Sequence, residues 1–141
     1  MWPTTFDQRL VAWYQLRSIV KFQNIELALD TINHWWSHSP WCPYYLHWDD
    51  QLTWPDPWQL LNNNVYCYLA RGLGILYTIS LLDRADMADA ALILTESGHN
   101  LVSVAQRKYI LNWTGNTVVN TNQEVNIIRK FEQHQTAQQY N

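Results

Sequence analysis

Three short runs decide the fold: Ala91-Leu-Ile-Leu94, Asn100-Leu-Val-Ser-Val104 and Lys108-Tyr-Ile-Leu-Asn-Trp113. Each is apolar and strand-like, and Ser97-Gly98 and Gln106-Arg107 sit between them as turn signals. An antiparallel meander is expected here, with Thr117-Val118-Val119 adding a short fourth strand. Upstream the apolar period is helical. Phe6, Leu10, Val11, Trp13, Tyr14, Ile19 and Val20 form a stripe from Thr5 to Lys21. Asn24 can cap a second helix carrying Ile25, Leu29, Ile32 and Trp36, which Ser39-Pro40 and Cys42-Pro43 bring to an end. Pro40 to Pro57 reads as an aromatic loop over the core, with His47, Asp49 and Asp50 as its polar members.

Asp56-Pro57 is a helix start, a carboxylate at the cap followed by a proline whose missing N–H costs nothing there. Leu61, Val65, Leu69, Leu73, Leu76 and Ile79 keep helical spacing to Leu82, interrupted at Asn62-Asn63-Asn64, so a short helix is followed by a longer one starting near Asn64. Ala70, Gly72 and Gly74 let a neighbour approach that helix closely. Helices first and an antiparallel sheet after them define an α+β fold. One domain over 1–120 is expected, with 121–141 as a polar tail whose Val125, Ile128 and Phe131 support only a weak helix.

Composition narrows the function classes. The 141 residues are 48% hydrophobic and 15% charged, which suits one folded domain rather than a disordered chain. A net charge of -3 lacks the basic face that a general nucleic-acid binder needs, so no nucleic-acid partner is expected. No apolar run approaches the roughly 20 residues of a membrane span. Met1 to Lys21 lacks the layout of a signal peptide, so both cysteines are expected as reduced thiols. The 9 Trp and 8 Tyr imply a tightly packed core, a large contact surface, or both.

Cys67, His99 and Asn112 are the candidate catalytic residues. Cys67 falls near the start of the long helix, where unpaired N–H groups favour a thiolate. With Gln106-Arg107 as a two-residue turn, position 101 faces Asn112 and position 99 shares its face, which makes His99 and Asn112 diagonal neighbours at roughly 7–8 Å. A thiol, a base and an orienting amide in reach of one another suit nucleophilic chemistry. The bland readings are a small core residue for Cys67, a turn histidine bonding backbone for His99 and a strand end for Asn112. His34, His38, Cys42 and His47 carry zinc-ligand chemistry, but three of the four fall at or beyond the helix end in a proline-broken loop, and no metal or other cofactor is assigned.

Asn64-Val-Tyr-Cys-Tyr-Leu-Ala-Arg-Gly-Leu-Gly-Ile-Leu76, Gly98-His-Asn-Leu-Val-Ser-Val104 and Tyr109-Ile-Leu-Asn-Trp113 together resemble the core of the transglutaminase-like branch of the papain-like superfamily. The resemblance runs from Asn64 to Trp113 and implies Cys67 as nucleophile, His99 as base and Asn112 as the orienting group of an amide acyl transfer. The family's glycine before the nucleophile is Tyr66 here, its aspartate is Asn112, and the stretch from Cys67 to His99 is short. Separately, Asn33-His-Trp-Trp36, Trp54-Pro-Asp-Pro-Trp-Gln-Leu-Leu61 and Tyr66 to Tyr77 are similar to small structural proteins of tailed bacteriophages. That similarity implies a virion component of the tail or baseplate, made in the host cytoplasm and partnered by other virion proteins. The competing classes are an active cysteine amidase or peptidase acting on cell-wall or protein amides, and an aromatic-lined carbohydrate-binding module.

The tail and the exposed part of the Trp41–Trp54 loop are expected to order by docking on a neighbouring subunit. Asp56→Ala should cost about 1 kcal/mol, a typical cap loss. An unchanged melting temperature would mean that Pro57 does not open a helix.

Overall fold

A computed structural model describes residues 2–114, 117–120 and 126–133, with the side chains of 114 and 117–120 left aside. Among the described residues four α-helices precede five strands: α1 (Phe6–Val20), α2 (Ile25–Ser37), α3 (Pro57–Asn63), α4 (Tyr68–Leu82), β1 (Ala91–Thr95), β2 (Asn100–Val104), β3 (Tyr109–Thr114), β4 (Thr117–Asn120) and β5 (Ile127–Glu132). Every pairing in the sheet is antiparallel and the strand order is β4-β3-β2-β1-β5. The fold is therefore α+β.

The starts of α2 and α3 follow the cap chemistry read from the sequence at Asn24 and Asp56, and α1 opens on a further cap at Thr5. Thr5 and Gln8 form a reciprocal capping box on α1, and Asp56 and Gln59 do the same on α3, with Gln59 N–H donating to Asp56 at 2.8 Å. Asn24 Oδ1 accepts the Leu27 N–H at 2.9 Å. Helix α3 closes on Asn64, whose φ of 54° is tolerated by an asparagine. The chain then runs through a short bridge, Tyr66 pairing with Trp41, before α4 begins. Burial pushes the Tyr66 phenol well above its usual range, and its hydroxyl donates to Leu60 O at 3.1 Å.

Helix α4 is the centre of the molecule, buried along nearly its whole length between the other helices and the sheet. Its small residues make that possible. A Cβ at Gly74 would lie 2.6 Å from the Trp36 ring of α2, and one at Gly72 would lie 2.7 Å from Leu92 of β1. At Thr78 the indole N–H groups of Trp13 and Trp36 both donate to Oγ1, at 2.9 and 3.0 Å. The hydroxyl in turn donates to Gly74 O at 2.8 Å, so one buried threonine satisfies two tryptophans from α1 and α2.

The sheet presents two apolar faces. Leu92, Val102, Val104, Tyr109, Leu111 and Phe131 pack into the helical core. Ala91, Ile93, Leu101 and Ile110 form a second cluster on the opposite face, against Trp113 and Ile127. The β2–β3 hairpin has the expected register, Val102 opposite Leu111 and Val104 opposite Tyr109. Lys108 N–H closes its turn on Ala105 O at 3.1 Å, with Gln106 and Arg107 at positive φ.

One expectation is corrected. Residues 127–132 are a strand and not the weak helix that Ile128 and Phe131 suggested. The edge of β1 offers unpaired backbone groups, and β5 fills them, with Leu92 opposite Phe131. The sheet thus continues into the stretch read as a tail, while 121–125, Val125 included, and 134–141 lie outside the described residues. Phe131 is 2% exposed and meets the Trp54 ring at a centroid distance of 5.1 Å. Phe131→Ala is expected to cost about 3–5 kcal/mol in denaturant unfolding. A loss below about 1 kcal/mol would mean that β5 is an ornament on a self-sufficient domain.

Candidate functional site

Cys67 is the N-cap of α4, closer to the helix start than its sequence position required, and is 5% exposed. Its carbonyl accepts the Arg71 N–H at 2.9 Å, while its side chain makes no capping bond. The thiol lines a groove of about 430 Å³ whose other walls include Tyr44, His47 and Asp49 of the loop, Tyr68 of α4, Asn100 of β2 and Arg129 of β5.

His99 is elsewhere. Side chains alternate along β2, so Asn100 and Val102 turn to the helices while Leu101 enters the outer cluster, and His99 shares the face of Leu101. Its Nδ1 lies 2.8 Å from Ser97 Oγ, and its ring sits 6.2 Å from that of Trp113. It lines a separate hollow with Thr95, Glu96, Ser97, Leu101, Trp113 and Asn126. Strand β2 thus turns Asn100, not His99, toward Cys67.

Asn112 departs from the hairpin arithmetic in the other direction. The pairing places it opposite position 101, hence on the outer face, but its φ is 68° and the β3–β4 register shifts between Ile110 and Thr114. The left-handed residue turns the side chain inward. Nδ2 donates to Tyr68 O and to Asn100 O, both at 2.8 Å, and the backbone N–H donates to Asn33 Oδ1 of α2 at 2.9 Å. Both amide hydrogens are committed to carbonyls, a task an aspartate could not perform.

The three candidates are therefore not assembled as the expectation had them. Asn112 reaches the backbone beside Cys67, His99 lies on the other face of the sheet, and no hydrogen bond joins the three among the described residues. His99 and Asn112 do not share a face as the hairpin arithmetic expects, because a positive φ at Asn112 inverts its side-chain direction.

What does line the groove with Cys67 is the loop histidine, His47. Its Nδ1 accepts the Asp49 N–H at 3.1 Å, so in the neutral ring Nε2 carries the proton and acts as a donor. Asp49 Oδ1 pairs with the Arg129 guanidinium at 2.6 Å. His47 and Asp49 were visible as polar members of an aromatic loop. Arg129 was not, since its strand reads as tail. Among the described residues no three His, Cys, Asp or Glu side chains converge in a way that could hold a metal ion, and no helix is long and apolar enough to cross a membrane.

Comparison with protein-family models, with curated proteins and with solved structures gives no match. Asn112→Ala should destabilise the domain by about 2–4 kcal/mol, through two lost hydrogen bonds and an alanine held in the left-handed region. Asn112→Gly should lose less, because glycine accepts that φ. Equal losses in thermal unfolding would mean that backbone conformation plays no part.

Proposed function

We propose that this chain is a structural component of a tailed-bacteriophage particle, in the tail or baseplate region, where it contacts other virion proteins and performs no cysteine chemistry through Cys67, His99 and Asn112. The observation that speaks against cysteine chemistry is the use made of Asn112. An amide with both hydrogens on the carbonyls of Tyr68 and Asn100 is holding helix to sheet, and His99 is bonded to Ser97 on the far side. A Cys at a helix start beside antiparallel strands, with a His just before one strand and an Asn on the next, supports a transglutaminase-like arrangement whose reactive positions have taken up structural work.

The surface supports an assembly role. Val11, Tyr14, Ile19 and Phe22 are 57–87% exposed and follow one another along α1 and just past its end at roughly helical spacing, an apolar stripe suited to a neighbouring subunit. Trp41, Tyr44 and Leu52 of the loop are also exposed. The resemblance of Asn33–Trp36 and Trp54–Leu61 to small phage structural proteins supplies the setting.

The test is mass spectrometry of purified particles from cells producing the phage that encodes this chain. The chain is expected at fixed stoichiometry in the tail fraction, and Cys67→Ala should be incorporated like the parent, with infectivity intact. Absence from particles, or an amide-hydrolysing activity lost in Cys67→Ala and His99→Ala, would overturn the proposal in favour of an enzyme.

A further inference from the structure

The groove beside Cys67 is furnished well beyond the needs of one buried thiol. Its rim carries two exposed aromatic rings, Tyr44 at 67% and Tyr68 at 52%, and Trp41 rests on Tyr68 at a centroid distance of 5.6 Å. Large aromatic planes left in water at the mouth of a concavity are costly unless something covers them. Along the same groove lie three polar side chains that are all part-exposed: His47, Asp49 and Arg129, with side-chain exposures of 48%, 58% and 46%. The volume of about 430 Å³ falls in the range of small-ligand sites.

The charges and tautomers narrow the ligand. Arg129 pairs with Asp49 at 2.6 Å, so among the described residues the lining of the groove carries no net charge to hold a phosphate or a carboxylate, nor one to hold a cation. Asp49 keeps lone pairs free to accept, since only Oδ1 is engaged by Arg129, and the guanidinium keeps further N–H donors. His47 presents Nε2–H as a donor because Nδ1 is occupied by the Asp49 N–H. Asn100 has its Oδ1 taken by the Trp48 indole at 2.7 Å and retains its amide hydrogens. Acceptors and donors from the loop, β2 and β5 thus line one groove together with two exposed tyrosine rings. Vicinal hydroxyl groups, each both donor and acceptor, suit such a lining, and the C–H face of a pyranose ring covers an exposed tyrosine ring.

We infer that this groove binds a neutral saccharide, a sugar ring resting on the Tyr44–Tyr68 rim with its hydroxyls bonded to Asp49, Arg129 and His47. Cys67 contributes floor, not chemistry. The inference goes beyond the virion reading and does not rest on it, since the groove is defined by this chain alone.

Titration of the full chain with maltotriose, cellotriose, lactose and the trimer of N-acetylglucosamine tests it, read by intrinsic fluorescence because Trp48 lines the groove. At least one of the four is expected to give a saturable change in the millimolar range or tighter. Tyr44→Ala and Tyr68→Ala should each weaken it roughly three- to tenfold, Tyr68→Phe should keep it, and inorganic phosphate should give no response. Melting curves accompany each variant, and should Tyr68→Ala melt early, Tyr44→Ala on the exposed loop carries the comparison. No saturable response to any of the four, binding unchanged in Tyr44→Ala and Asp49→Asn, or phosphate binding tighter than every sugar would overturn the inference.

Discussion

Asn112 ties three layers of this protein together with one side chain and one backbone group. Its amide reaches the first residue of α4 and the first residue of β2, and its N–H reaches Asn33 in the middle of α2. The two carbonyls that accept from its amide belong to the residues that open α4 and β2, and Asn33 Oδ1 accepts its N–H, so one residue holds a helix start, a strand start and a second helix together. The cost is a left-handed residue and a break in the β3–β4 register. The return is a fixed position for the start of α4, with Gly72 pressed against the sheet close enough that a Cβ there would meet Asn112 Nδ2 at 3.4 Å.

The core depends on similar economy around α4. Tryptophans bury much area but bring a polar N–H with them, and that N–H needs an acceptor. Thr78 provides one for both Trp13 and Trp36, and Gly74 lets the Trp36 ring come near enough to use it. Trp48 and Trp54 belong to the same system from the loop side, their N–H groups on Asn100 Oδ1 and His47 O. Part of the unusual tryptophan content is thus core, and Trp41 at 50% exposure is surface.

Local chemistry made much of this legible. The caps at Asn24 and Asp56, the turn at Gln106-Arg107, the small face of α4 and the strand register all follow from interactions within a few residues or within one hairpin. What escaped is nonlocal. Strand β5 exists because β1 has a free edge more than thirty residues earlier in the chain, and no periodicity within 127–132 announces that. The inversion at Asn112 was hidden for a similar reason, since the carbonyls that its amide reaches belong to α4 and β2 and not to its own strand. His47 and Asp49 could be seen in the sequence, but their partner Arg129 came with the unseen strand.

His99 lies on the sheet face opposite the groove that holds Cys67 and should not set the reactivity of that thiol, and the alkylation rate of Cys67 measures this directly. Rates followed by mass spectrometry at Cys67, which separates it from the second free thiol at Cys42, should be slow in the folded protein and show the same pH profile in the parent and in His99→Ala. A fall of about tenfold or more near neutral pH on removing His99 would mean that the imidazole generates the thiolate and that the two side chains act as a pair.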